Sequence, residues 1–349
     1  MIHKTRVQEF TARNITPSNL SVAEIAIWEN LATTLPSLSS PFLSPHYARA
    51  VAASGIDVKV CVIYQRDKIC AFFPYQFRNR FLSYTKVAEP VGGEMTDYFG
   101  MIAEPGFRIR PTDLLRLAQI NYLNFSHLDE SQLGYGLSGE QPRTGLRARL
   151  NNTGERPLDT LLYERHRYLK DSERCARKLL NDFGSVEFVF DQQHNRQQVL
   201  ENLVSQKREQ YKRTNVPDSL KHSWKTNLLH KLSECQFSTC RGVLSTLSVG
   251  GKLIATHFGV MGNGIFQYWF PVYDPDYGKY APGRLLLHKI IESSPLNSIH
   301  TIDHGEGDTS SKRELANDEH QYFRGVWHNR SVTSHVTRGL FSIKWRLGV

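Results

Sequence analysis

Apolar and polar positions follow several rhythms along this 349-residue chain. Apolar residues recur at helical spacing over 22–31 and again over 111–120. Pro41 and Pro45 frame a turn that starts a helix through Ala53, because proline suits a first turn, and Gly55 ends it. Residues 58–64 and 69–76 are apolar and β-rich around Gln65-Arg-Asp-Lys68, which predicts a hairpin. Pro90-Val-Gly-Gly93 breaks the chain, and 97–102 and 122–128 read as strands. The polar stretch 143–157, with Gly145, Asn151, Asn152 and Gly154, reads as a linker.

Beyond it, the pattern predicts a helix over 158–181. Leu161/Leu162, Tyr168/Leu169, Cys175/Ala176 and Leu179/Leu180 share one face; Arg165, Arg167, Lys170, Arg174, Arg177 and Lys178 hold the other. A strand over 186–190 precedes helical residues 196–232, broken at Pro217. Strands at 243–249 and 253–261 are joined by Gly250-Gly251, a pair that supplies the positive φ of a tight turn. The remaining elements are a strand at 265–273, a helix at 284–293, a strand at 299–303, a short helix at 308–315, and strands at 322–327 and 332–336. The expected class is α/β (α+β), in two halves, 1–150 and 151–349, the second with a basic helical segment at 158–232.

Composition narrows this only a little. Lys plus Arg number 43 against 34 Asp plus Glu, a net charge of +9 that favours acidic partners such as phosphates, nucleic acid, a carrier protein or an anionic surface. Within 158–232, Tyr163, Tyr168, Tyr211 and Trp224 interleave the basic residues and could stack on bases, yet a solvated helix face explains the same spacing. No signature of a sequence-specific nucleic-acid binder is present. The five cysteines, Cys61, Cys70, Cys175, Cys235 and Cys240, are scattered without zinc spacing, so reduced thiols in the cytosol are expected. No apolar run approaches the ~20 residues of a membrane span. The opening residues lack the apolar core of a signal peptide.

The chemistry concentrates in 250–312. A strand leading through Pro282-Gly283 into a helix presents unpaired backbone N–H groups suited to phosphate, with Gly283 allowing close approach and Arg284 adding charge. His257 alternates with Leu253, Ala255, Gly259 and Met261 on one strand face, and an imidazole can act as a base near neutral pH. Asp274, Asp303 and Asp308 are further acidic candidates; turn and capping roles compete with each. His304, Glu306 and Asp308 alternate, but the spacing fits no zinc or EF-hand motif, so no metal is expected.

Three blocks carry a resemblance: Ile254, Ala255, His257, Phe258 and Gly259; then Tyr273, Asp274, Pro275, Ala281, Pro282, Gly283, Leu285 and Leu286; then Asp303, Gly305, Gly307, Asp308 and Lys312. Together with 174–188, they make residues 160–315 similar to GNAT-superfamily acyltransferases of the CelD-like, cellulose-biosynthesis branch. That branch resembles the Fem-type transferases in having two GNAT-like halves. The N-terminal half matches more loosely through "PFLSPHY" and "TDYFG". The resemblance implies two mixed sheets flanked by helices and acyl-CoA as donor, or an acyl carrier protein in its place. It implies direct transfer to an amine or hydroxyl of a sugar or amino-acid acceptor, in envelope or exopolysaccharide metabolism. The donor would lie along 266–273 and on the turn formed by Tyr273, Ala281, Pro282, Gly283, Arg284 and Leu285. His257, Asp274, Asp303 and Lys312 would serve catalysis; Asp97, Tyr98 and Asp308 would meet substrate. The place would be the cytoplasm or the inner-membrane periphery. Many relatives carry Tyr before the last Lys, whereas Ser310 and Ser311 precede Lys312 here. An aminoacyl-tRNA-dependent Fem-type transferase and a non-catalytic subunit of a polysaccharide-synthesis complex are the competing expectations.

Overall fold

A computed structural model describes residues 10–151, 156–162 and 166–329. The expected strand 332–336 lies outside the described residues, as do Asn152, Gly154 and the side chains of Tyr163, Arg165 and Arg167. The chain packs as two units that do not follow chain order: one from residues 1–143 with 321–349, the other from 144–320.

The first unit holds β1 (Thr11–Ile15), α1 (Val22–Thr34), α2 (Pro45–Ala53), β2 (Asp57–Gln65), β3 (Lys68–Phe77), α3 (Arg80–Thr85), β4 (Val87–Ala88), β5 (Ile102–Ala103), α4 (Pro111–Ala118) and β6 (Tyr122–Asp129). Strands β1-β2-β3-β5 make an antiparallel sheet, and β6 pairs with β4 in parallel and with residues 322–328 antiparallel. The local chemistry explains these elements. Ser21 and Glu24 form a reciprocal capping box at the start of α1. Arg66 and Asp67, both at positive φ, close the β2–β3 hairpin. The expected strand 97–102 shrinks to Ile102–Ala103 plus one bridge from Phe99 to Leu128. There the chain turns so that Phe99 packs with Phe73, Phe125 and Trp327.

The second unit holds β7 (Gln141–Arg149), α5 (Pro157–Leu161), α6 (His166–Phe183), β8 (Glu187–Val189), α7 (Arg196–Thr214), α8 (Ser223–Ser233), β9 (Gln236–Phe237), β10 (Cys240–Val249), β11 (Lys252–Gly262), β12 (Ile265–Tyr273), α9 (Pro282–Glu292), β13 (Thr301–Glu306), α10 (Ser310–Arg313) and the first residues of β14 (Asp318–His328). Its sheet runs β7-β13-β12-β11-β10-β8, antiparallel except for β12 with β13. One core joins α9 to the sheet through Leu285, Leu286, Ile290, Phe266 and Ile302; α7 and α8 pack on β10, β11 and β12. Both units therefore have the expected make-up of mixed sheets and helices.

Two boundary expectations fail. The stretch 143–157 is no linker, for β7 runs through it to Arg149. Leu146 and Ala148 alternate inward and Leu150 is buried just beyond, a period-two pattern masked by its polar neighbours. The helix expected over 158–181 is two helices, since α5 ends at Leu161 and α6 begins at His166.

Candidate active site

The site grows from one topological fact within the second unit. β12 and β13 are parallel neighbours but pair only over Ile265–Gln267 and Thr301–Asp303; beyond Gln267 they part. On its other side β12 stays on β11 to Tyr273. Asp274 N donates to Ile254 O at 2.9 Å, which fixes the ladder phase. Residues 272 and 270 therefore bond to β11, and the backbone groups of Pro271 and Tyr273 face the open side. A proline tolerates this place because its missing N–H is not asked for by the ladder.

The edge carries a bulge. Between the pairs Phe258/Phe270 and Val260/Gln267, β12 has Tyr268 and Trp269 against the single Gly259. A Cβ on Gly259 would stand 2.4 Å from Gln267 O and 2.7 Å from the His257 ring, so only glycine fits opposite the bulge. His257 completes the device. Its ring is fully buried and stacks on Tyr268 at 4.1 Å, and its Nε2 accepts from Trp269 N at 3.0 Å. Burial, helped by the nearby charges of Lys207 and His304, pushes its pKa well below the usual imidazole value. The lone pair expected to serve as a base already holds the bulge. In this arrangement His257 holds the bulge through Nε2, while its buried Nδ1 has no partner among the described residues.

The open edge leads to α9. Tyr273 and Gly283 are neighbours, since a Cβ on Gly283 would lie 3.6 Å from the Tyr273 ring and meet nothing nearer. Ala281 adopts a left-handed conformation and no side chain caps the helix. Tyr273, Ala281, Pro282 and Gly283 thus lie together at the start of α9. Arg284 is not with them: it donates to Asp171 on α6 at 3.0 Å and lies over the Tyr168 ring. Leu285 is buried in the core and contributes only its backbone position.

The acidic candidates divide. Asp274 accepts from Asp276 N and pairs with Lys252 at 3.0 Å. Burial raises its pKa, but those bonds and the lysine charge outweigh this and hold it low. Asp303 is buried at the vertex where β12 and β13 part. It accepts from Arg147 on β7 at 3.2 Å and from Gly305 N at 2.8 Å. Asp308 is exposed and tied to Arg313, whose hydrogen bond keeps its carboxyl below the usual range. Lys312 Nζ donates to Glu306 O at 2.7 Å, beside Gly307. His304 Nε2 faces Leu315 O. Among the described residues no group of His, Cys, Asp or Glu is placed to hold a metal ion. Asp97 and Tyr98 belong to the first unit, where Asp97 lies 3.9 Å from His127 and Tyr98 packs between Phe42 and Tyr322.

Sequence reading missed three residues here. Arg147 was hidden in the supposed linker. Gln267 is 1% exposed at the vertex, with both amide atoms unpartnered. Lys207 on α7 reaches the open edge and donates to Pro271 O at 3.0 Å; it had been read as one of many solvated charges.

Residues 166–313 match the family model of the acetyltransferase (GNAT) domain. The match covers less than half of the chain, and over these residues the chain is similar to a GNAT acetyltransferase domain. The open strand and the start of α9 fall inside it, and acyl transfer is the enzyme class the GNAT domain brings. No curated protein matches the chain. Among solved structures, FemX is similar at 9% identity, covering 90% of this chain and 96% of its own, with a TM-score of 0.61. A C-terminal domain from Agrobacterium fabrum, described as part of a lysylphosphatidylglycerol synthetase, is similar at 10% identity, covering 93% and 98%, with a TM-score of 0.53. A protein of unknown function from Bacteroides thetaiotaomicron gives 11% identity, 85% and 95% coverage, and 0.50. These likenesses show the fold, and they extend it beyond the GNAT segment to most of the chain. Among the described residues no helix is long and apolar enough to cross a membrane.

Proposed function

We propose that the GNAT domain binds acyl-CoA along the open edge of β12 and transfers the acyl group, acetyl in the simplest case, to an amine or hydroxyl. The observation that carries this reading is the parting of β12 from β13 after Gln267, with an edge that runs to the uncapped start of α9. The backbone groups of Pro271 and Tyr273 can pair with the amides of a pantetheine arm as a neighbouring strand would. The α9 N-terminus, with no acidic residue in its first turn, suits the diphosphate. A sugar or amino-acid acceptor, envelope or exopolysaccharide metabolism, and a cytoplasmic site near the inner membrane follow from the CelD-like resemblance.

The test is calorimetric titration with acetyl-CoA and longer acyl-CoAs. Micromolar binding to wild type, lost in Gly283→Asp, is the expected result; no binding of any thioester would reject the donor site. A second reading, with an aminoacyl-tRNA donor, takes its support from the likeness to FemX. It expects salt-sensitive tRNA binding and activity lost on RNase treatment.

A further inference from the structure

Direct attack on a thioester piles negative charge on the carbonyl oxygen, and that oxygen needs a donor. The edge of β12 is poor in donors where the reacting end of an arm lying along it would sit. Pro271 has no N–H. Phe270 is turned to β11 by the ladder phase. Trp269 N is bonded to His257. The group that reaches this part of the edge is the Lys207 ammonium, with one N–H on Pro271 O and two more to offer.

We propose that Lys207 is a catalytic residue whose ammonium stabilises the thioester oxygen as the acceptor attacks. This rests on the donor site proposed above. The acceptor's nitrogen or oxygen bonds to the carbonyl carbon, and the C=O electron pair moves onto oxygen against Lys207. Collapse breaks the C–S bond; CoA leaves as a thiolate and takes up the proton that the acceptor loses.

Independent observations point the same way. No carboxylate pairs with Lys207 among the described residues, so this half-buried charge lacks an anionic partner there. Gln267 leaves two buried amide atoms unpartnered at the vertex. Phe266 packs into the α9 core, so the pleat turns Gln267 to the opposite face, where α7 packs. Gln210, one turn beyond Lys207 on α7, leaves its buried carbonyl oxygen unpartnered as well. Unmet polar groups gathered beside an open strand call for a polar ligand. The titratable groups facing Lys207 are His257 from β11 and Tyr211 from its own helix, while β12 presents the Pro271 carbonyl. Burial pushes the lysine down to about 8.

Thiol release from acetyl-CoA, with hydroxylamine or water as acceptor, tests the role alongside calorimetry with CoA. In wild type the rate should fall at alkaline pH as Lys207 loses its proton. Lys207→Met should lower turnover about 100-fold with CoA affinity changed less than threefold. Lys207→Arg should restore part of the rate and move the alkaline fall upward, because a guanidinium keeps its charge. Lys212→Met, on an exposed turn of α7, is the control. CoA binding with unchanged turnover and pH profile in Lys207→Met would overturn the Lys207 role alone. Inactivity of both Lys207→Met and Lys207→Arg with rate rising through pH 8 in wild type would make the lysine a base instead. Failure of wild type to bind CoA would remove the donor site and this role together.

Discussion

Each unit buries a glutamine, and the two are treated differently. Gln132 in the first unit is fully buried and bonds Met101 through both amide atoms, at 2.8 Å to its N and 3.2 Å to its O. Gln267 in the second unit is as buried and bonds nothing. Two of the proline-started helices, α4 and α9, also differ at their starts, although α2 in the first unit lacks a first-turn acid and α5 in the second has Asp159. α4 carries Asp113 in its first turn, bonded to Arg110 at 2.7 Å, so its positive end already faces an anion of its own. α9 has Gly283 there and no acid. Both units leave some buried side-chain atoms without a partner, Ser40 and Ser131 in the first and Gln210 and Gln267 among those of the second, but only in the second do they lie on an open strand and the helix packed against it.

Making both glutamines apolar should separate the two units most widely. Gln132→Met strands the Met101 N–H and C=O and should cost about 2–4 kcal/mol in urea unfolding. Gln267→Met removes groups that have no partner, so stability should stay level or rise by up to about 1 kcal/mol. Equal losses in both would show that Gln267 is as structural as Gln132. Next in size, Gly283→Asp gives α9 the carboxylate that α4 already has. Acetyl-CoA affinity should drop about 10–100-fold with the melting temperature held, because the new side chain has room beside Tyr273.

Acid separates the units in a third way. His257, His288, His304 and His320 in the second unit, and His46 in the first, have pKa values lowered chiefly by burial, His288 and His320 to about 4. The unfolded imidazole binds its proton near 6.5. Their contribution is therefore complete above about pH 6.5 and is lost as pH falls below it, at about 1 kcal/mol per histidine per pH unit until each folded pKa is reached. Hydrogen exchange at pH 7.5 and 5 should show the second unit opening first; uniform opening would count against the assignment. The smallest effect is expected of Asp113→Asn, an exposed change that should shift stability by less than about 0.5 kcal/mol and leave acetyl-CoA binding untouched.

Much of this was legible in the chain. Both hairpins, the start of α9 at Pro282 and the long strands β10 to β12 follow from period-two patterning and turn residues, which act over a few neighbours. The phosphate-suited turn was visible because its chemistry is local: Pro282 and Gly283 are adjacent. β7 was missed because its buried Gly145, Leu146 and Ala148 are hidden by arginines, one of which, Arg147, is called inward by Asp303 more than 150 residues away.

Local patterning was enough for most strands and helices, for the glycine and histidine motif of the second half and for the acid-free start of α9, but not for β7 or the break between α5 and α6. The partners of each side chain came only with the fold. In the folded chain the His257 Nε2 holds a bulge, one Arg284 N–H reaches Asp171, and Lys207 lies on the open edge of β12. Roles of this kind depend on which partner reaches a side chain first and on how much water remains around it. Both are set by contacts between elements far apart in the chain, which no local pattern encodes.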